Sequence, residues 1–144
     1  METRPRGKQH LAAIEERQDI ARVNAYLEAL ERGEETEVPL EQILQSMTKL
    51  LRGRGNEVMV KIRHAERDVW RLRNSTDSVH ENRVLSARFR ELSKMETQLN
   101  QWMRRCLTVE GVADFEEMRR ELSHKEKIFS LKITELTRPL DIPD

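Results

Sequence analysis

The chain has 144 residues, enough for one domain, yet only 37% are hydrophobic while 36% are charged, a mix that favours long helices with narrow apolar stripes over a globule with a thick core. Its 26 basic and 26 acidic residues cancel and its apolar residues recur periodically, which argues against disorder throughout. Five glycines and four prolines are too few for a loop-rich or all-β protein, one cysteine excludes an intrachain disulfide, and no stretch approaches the roughly 18 apolar residues of a membrane span.

Residues 1–8 carry Pro5, Gly7 and three basic residues with almost nothing to bury, and are expected to form a flexible tail. A first helix is predicted over 9–32, with Leu11, Ile14, Ile20, Val23, Leu27 and Leu30 on one face and Gly33 as its stop. An acidic connector leads to Pro39, which suits a first helical turn because its missing amide hydrogen would lack a partner there. The second predicted helix, 39–52, has the cleanest apolar stripe: Leu40, Ile43, Leu44, Met47, Leu50 and Leu51. Gly53-Arg54-Gly55 then reads as a helix-to-helix turn, since glycine tolerates left-handed dihedrals.

From Asn56, a good N-cap residue, there is no glycine or proline until Gly111. The prediction is one long central helix over 56–107. Val58, Ile62, Ala65, Val69, Leu72, Thr76 and Val79 alternate in steps of four and three, as a coiled-coil seam requires. Leu85, Phe89, Leu92, Leu99, Met103 and Cys106 continue in a shifted frame. Residues 74–78 are rich in capping side chains, and Ser78 with Glu81 matches a capping box, so a hinge there is the alternative to a continuous helix. Trp102 and Met103 widen the stripe and imply more than one partner helix. A last helix, 114–137, starting at Asp114 and bearing Phe115, Met118, Leu122, Phe129, Ile133 and Leu136, is expected to fold back across 108–113 into a bundle. Residues 138–144 form a second tail.

Charge is unevenly distributed. Residues 49–73 hold eight basic and three acidic residues, whereas 15–41 hold nine acidic and three basic ones. Arg63, Arg67 and Arg71 recur every four residues, and with Arg52, Arg54, Lys61 and Arg73 they make a candidate surface for nucleic acid or an acidic protein. The favoured alternative is that the two excesses complement each other, within the chain or between chains, and steer helix pairing. Trp70 alone does not make the repeated stacking platform of a single-strand binder.

Chemistry-bearing motifs are absent. Gly53-Arg54-Gly55 lacks the ending of a phosphate-binding loop. His10, His64, His80 and His124 are scattered, and Cys106 lies on an apolar stripe, where it reads as a core residue rather than a nucleophile. No catalytic residue, metal ligand or cofactor is assigned, and the chain is not expected to be an enzyme.

The sequence thus predicts an all-α protein, an elongated coiled coil, helical hairpin or bundle. Its expected role is that of a scaffold or adaptor subunit in an intracellular assembly, cytoplasmic or cytoskeletal, with the nucleus as an alternative location. It is expected to be a homo- or hetero-oligomer, not inserted in a membrane. The expected partner-helix residues are Leu40, Ile43, Leu44, Met47, Leu51, Val58, Ile62, Val69, Leu72, Leu85, Phe89, Leu92, Leu99, Trp102 and Met103. The rival reading is a nucleic-acid- or microtubule-binding module working through the basic ridge.

Overall fold

A computed structural model describes residues 4–140, with side chains from residue 11 onward. Among the described residues there are four helices, α1 (Arg4–Glu31), α2 (Leu40–Ser75), α3 (Val79–Arg105) and α4 (Val112–Leu136), with a single 3-10 turn at Cys106–Thr108. No strand occurs among the described residues, so the fold is all-α. Of the two expected tails, residues 1–3 and 141–144 lie outside the described residues. Helix α1 already begins at Arg4, earlier than the predicted residue 9; Pro5 is compatible with this because a first turn needs no amide donor there.

Helix α1 ends as its sequence predicts. Gly33 has φ of 68°, and its N–H donates to Leu30 O at 3.1 Å while Glu34 N–H reaches Ala29 O at 2.8 Å. These two bonds close the last turn through a residue whose lack of Cβ makes the left-handed conformation cheap.

Helix α2 corrects the expected turn at Gly53-Arg54-Gly55. The helix runs straight through it, and Asn56 lies inside rather than at a cap. The reason is on the facing helix. A Cβ placed on Gly55 would stand 2.9 Å from Trp102 Cζ3 and 3.1 Å from Met103 Cγ, whereas one on Gly53 would meet nothing within 4 Å. Glycine at 55 therefore serves close approach, letting a fully buried indole lie against the α2 backbone.

The single long helix predicted over 56–107 is also corrected: the chain reverses at residues 76–78. Thr76 and Ser78 are extended, with ψ of 141° and 124°. Ser78 Oγ accepts the Glu81 N–H at 3.2 Å, and Thr76 Oγ1 accepts the Ser78 N–H at 3.2 Å and bonds the Glu81 carboxylate. Local side-chain bonds of this type offer the backbone an alternative to the helical ladder, so no glycine or proline is needed to end it.

Across that reversal α2 and α3 are antiparallel. Trp70 meets Phe89, Glu66 meets Ser93, Arg63 meets Glu96 and Thr48 meets the Cys106 carbonyl, so positions fall on α3 as they rise on α2. Helix α2 is the spine, contacting α1, α3 and α4. Its buried stripe, Ile43, Met47, Leu51, Val58, Ile62, Ala65 and Val69, closes on Leu85, Leu92, Met95, Leu99 and Trp102 of α3 and on Phe115, Met118, Leu122 and Phe129 of α4.

Helix α4 folds back as expected but starts two residues early, at Val112. Asp114 is not its cap. Its carboxylate sits in the first turn and accepts the Glu110 N–H at 3.0 Å. Trp102 Nε1 donates to Met118 O at 3.2 Å, and Arg105 grips Glu121 through two bonds of 2.7 and 3.0 Å. The bundle is elongated: α2 alone, at 36 residues, is about 54 Å long at 1.5 Å per residue.

Candidate functional site

The residues expected to meet partner helices divide in two. Ile43, Met47, Leu51, Val58, Ile62, Val69, Leu85, Leu92, Leu99 and Trp102 are buried by the chain's own helices. Leu44, Phe89 and Met103 are partly covered by the same core. Only Leu40 and Leu72, 49% and 50% exposed, keep a free side chain. They stand at opposite ends of α2.

The basic residues divide as well. Arg54 is spent internally: its Nη2 pairs with Glu126 Oε2 at 2.9 Å and ties α4 to α2. Arg52 is exposed on the flank near Cys106, and Lys61 is exposed two residues before Arg63. Arg63, Arg67 and Arg71 line an open groove of about 730 Å³ between α2 and α3, close to the hairpin tip. Arg63 Nε leans to Glu96 Oε1 at 3.4 Å, while neither Arg67 nor Arg71 has a carboxylate partner among the described residues.

An aromatic pair floors this groove. Trp70 and Phe89 lie with centroids 5.5 Å apart at 52°, a tilted arrangement favoured by the ring quadrupoles. The Arg73 guanidinium sits 4.9 Å from the Trp70 centroid on the ring face, holding the indole by a cation–π contact. Trp70 is still 45% exposed. The result is an apolar floor with an arginine rim.

Two carboxylates complicate the rim. Partial burial, with the hydrogen bond and charge of neighbouring Glu96, pushes the Glu66 carboxyl up to about 7, against the opposing pull of Ser93 Oγ at 3.2 Å and of Arg63. Near neutral pH Glu66 is therefore only partly ionised.

Cys106 behaves as its stripe position predicts. It is buried, its Sγ contacts Trp102 O at 3.5 Å, and burial pushes its thiol up to about 11. That removes the thiolate character a nucleophile needs. Among the described residues no cluster of His, Cys, Asp and Glu is placed to hold a metal ion, and no helix is long and apolar enough to cross a membrane.

One polar site escapes sequence reasoning. Ser46, 1% exposed, donates from Oγ to Asp19 Oδ1 at 2.8 Å and accepts from Arg22 Nη1 at 2.9 Å, with Asp19 itself 7% exposed. This trio pins α1 to α2 at one register. Its faint signal is position: Ser46 falls inside the Ile43–Met47 stripe, and Asp19 lies one turn before Val23 on the buried face.

No protein-family model matches the chain, and no curated protein or solved structure is significantly similar to it.

Proposed function

We propose that the chain is a non-enzymatic scaffold or adaptor subunit of an intracellular protein assembly. The observation that carries this reading is where apolar surface remains once four helices have packed. Leu30 and Leu40 stay about half exposed at one end of α2, and Trp70, Leu72 and Val79 are 45 to 69% exposed at the other, while Leu11, Ile20, Val60, Leu107, Ile128 and Leu131 are exposed singly elsewhere. A bundle whose interior is filled by its own chain, yet which keeps apolar side chains at both ends of a long spine, is suited to bridging neighbours. Association would rest on these ends, with charge selecting partner and register.

Cross-linking in native extract tests this. Lys61 is the exposed lysine of α2 nearest the tip, about 16 Å before Leu72 along the helix, and it is expected to cross-link to other chains in the wild type and to lose those products in Leu72→Glu. Products confined to a single chain would contradict the proposal.

The second reading, a nucleic-acid- or microtubule-binding module, draws on Arg67 and Arg71 with their free guanidinium groups. A salt titration with an oligonucleotide or polymerised tubulin tests it, because affinity built on phosphate or carboxylate contacts must fall steeply as salt rises.

A further inference from the structure

The two charge excesses meet only in part within one molecule: Glu15, Glu16 and Asp19 lie beside Lys49 where α1 packs on α2, but the outer part of each stays apart from the other. Residues 28–41 carry six glutamates and one arginine, while residues 61–73 carry five Lys and Arg side chains and two carboxylates. Helix α1 packs on the first half of α2, where Asp19 reaches Ser46, so its acidic end lies at the start of α2. From Leu40 to Arg67 along one helix is about 40 Å at 1.5 Å per residue. That is several times the screening length of about 8 Å at physiological salt. Neither end neutralises the other, and no salt bridge joins them among the described residues.

The two ends complement each other in more than sign. The acidic end presents Leu30 and Leu40 between its glutamates, each about half exposed. The basic end presents an aromatic floor, Trp70 on Phe89, between Arg67 and Arg71. One end offers leucines flanked by carboxylates and the other an apolar floor flanked by guanidinium groups. A nucleic acid would match the arginines but would leave the leucine-bearing end unused.

From this we infer that the chain self-associates, the acidic end of one copy seating in the groove between α2 and α3 of a second copy. The inference deepens the association reading and rests on it, supplying a first partner. Carboxylates from the 34–37 segment pair with Arg67 and Arg71, and a leucine covers the exposed face of Trp70. If the same contact is made in both directions the result is a closed antiparallel dimer; if it is passed on to a third copy, it is a chain of copies.

A charge swap read by sedimentation tests it. The groove variant is Arg67→Glu with Arg71→Glu, and the acidic-end variant is Glu34→Lys with Glu35→Lys and Glu37→Lys. All five sites are exposed, and circular dichroism confirms that each variant stays helical. Wild type is expected to associate at about 50 mM salt and to weaken at least tenfold by about 500 mM. Each variant alone should remain monomeric, and an equimolar mixture of the two should associate again, because acidic and basic ends are once more matched. A wild type that stays monomeric at low salt, or a mixture that fails to recover, overturns the inference. Cross-links from Lys61 to a different protein would persist in that case, so its failure is distinct from failure of the scaffold reading.

Discussion

Replacing each of the two glycines of α2 by alanine separates two explanations for why they are there. If residues 53–55 formed a turn, alanine at either would be destabilising. In the structure both are helical, so alanine gains about 0.5 to 1 kcal/mol of helix propensity at each. At Gly53 nothing opposes that gain, since the new methyl meets no atom within 4 Å. At Gly55 the methyl would stand 2.9 Å from the Trp102 ring and 3.1 Å from Met103. Met103 can swing aside, but Trp102 is 1% exposed and hydrogen-bonded to Met118 O, so the ring must move against a packed α4. Overpacking of this kind costs about 1 to 3 kcal/mol. Gly53→Ala should therefore stabilise by about 0.5 to 1 kcal/mol and Gly55→Ala should destabilise by up to about 2 kcal/mol. Thermal unfolding followed by circular dichroism reads the gap, at roughly 2 to 4 °C per kcal/mol for a chain of this size. Equal losses in both variants would refute the close-approach explanation.

Three further outcomes are expected. Ser46→Ala removes the donor to Asp19 and leaves a nearly buried carboxylate with one partner fewer, a loss of about 1 to 3 kcal/mol in urea unfolding; an unchanged midpoint would mean that the trio does not fix α1. Glu66 is raised in the folded state to about 7 from an ordinary carboxyl value, so the folded state binds its proton more tightly than the unfolded chain does. Its contribution is present at low pH and is lost as pH rises from about 4.5 through about 7. Glu66→Gln should accordingly flatten the stability profile over that window, and a profile identical to wild type would contradict the assignment. Cys106 should resist thiol reagents in the native protein and label only as the bundle opens, with a rate that tracks denaturant; rapid labelling in buffer would place it outside the core.

The α2 stripe was legible because it packs on two sides. A helix with neighbours at several angles must bury residues at every third and fourth position, and Ile43, Met47, Leu51, Val58 and Ile62 do. Helix α1 has essentially one neighbour, so a narrow line suffices. Val23 is buried and Tyr26 and Leu27 partly so, while Leu11, Ile20 and Leu30, equally apolar in sequence, face outward. Gly55 misled because glycine has two uses, a left-handed backbone or a missing Cβ, and only the position of Trp102 tells them apart. The break at residues 76–78 was visible as a cluster of capping side chains, but their local bonds had to be weighed against an unbroken run of helix formers. The Asp19–Ser46 pair spans 27 residues, and no local pattern announces a partner that far away. For the groove, the arginine ridge and Trp70 were apparent; Phe89, brought in by the reversal, was not.

One unbroken helix spans residues 40 to 75 and holds the two proposed association ends apart. Spin labels on Leu40→Cys and Leu72→Cys, in a Cys106→Ala background, test it by pulsed electron paramagnetic resonance in high salt, where copies are separate. Both sites are about half exposed, and 32 residues of helix place them about 48 Å apart. A distribution centred at 45 to 50 Å, to about the length of the label arms, is the predicted result. A hairpin at residues 53–55 would instead bring the two labels within roughly 20 Å, and that distance would contradict both the spine and the separation of charged ends built on it.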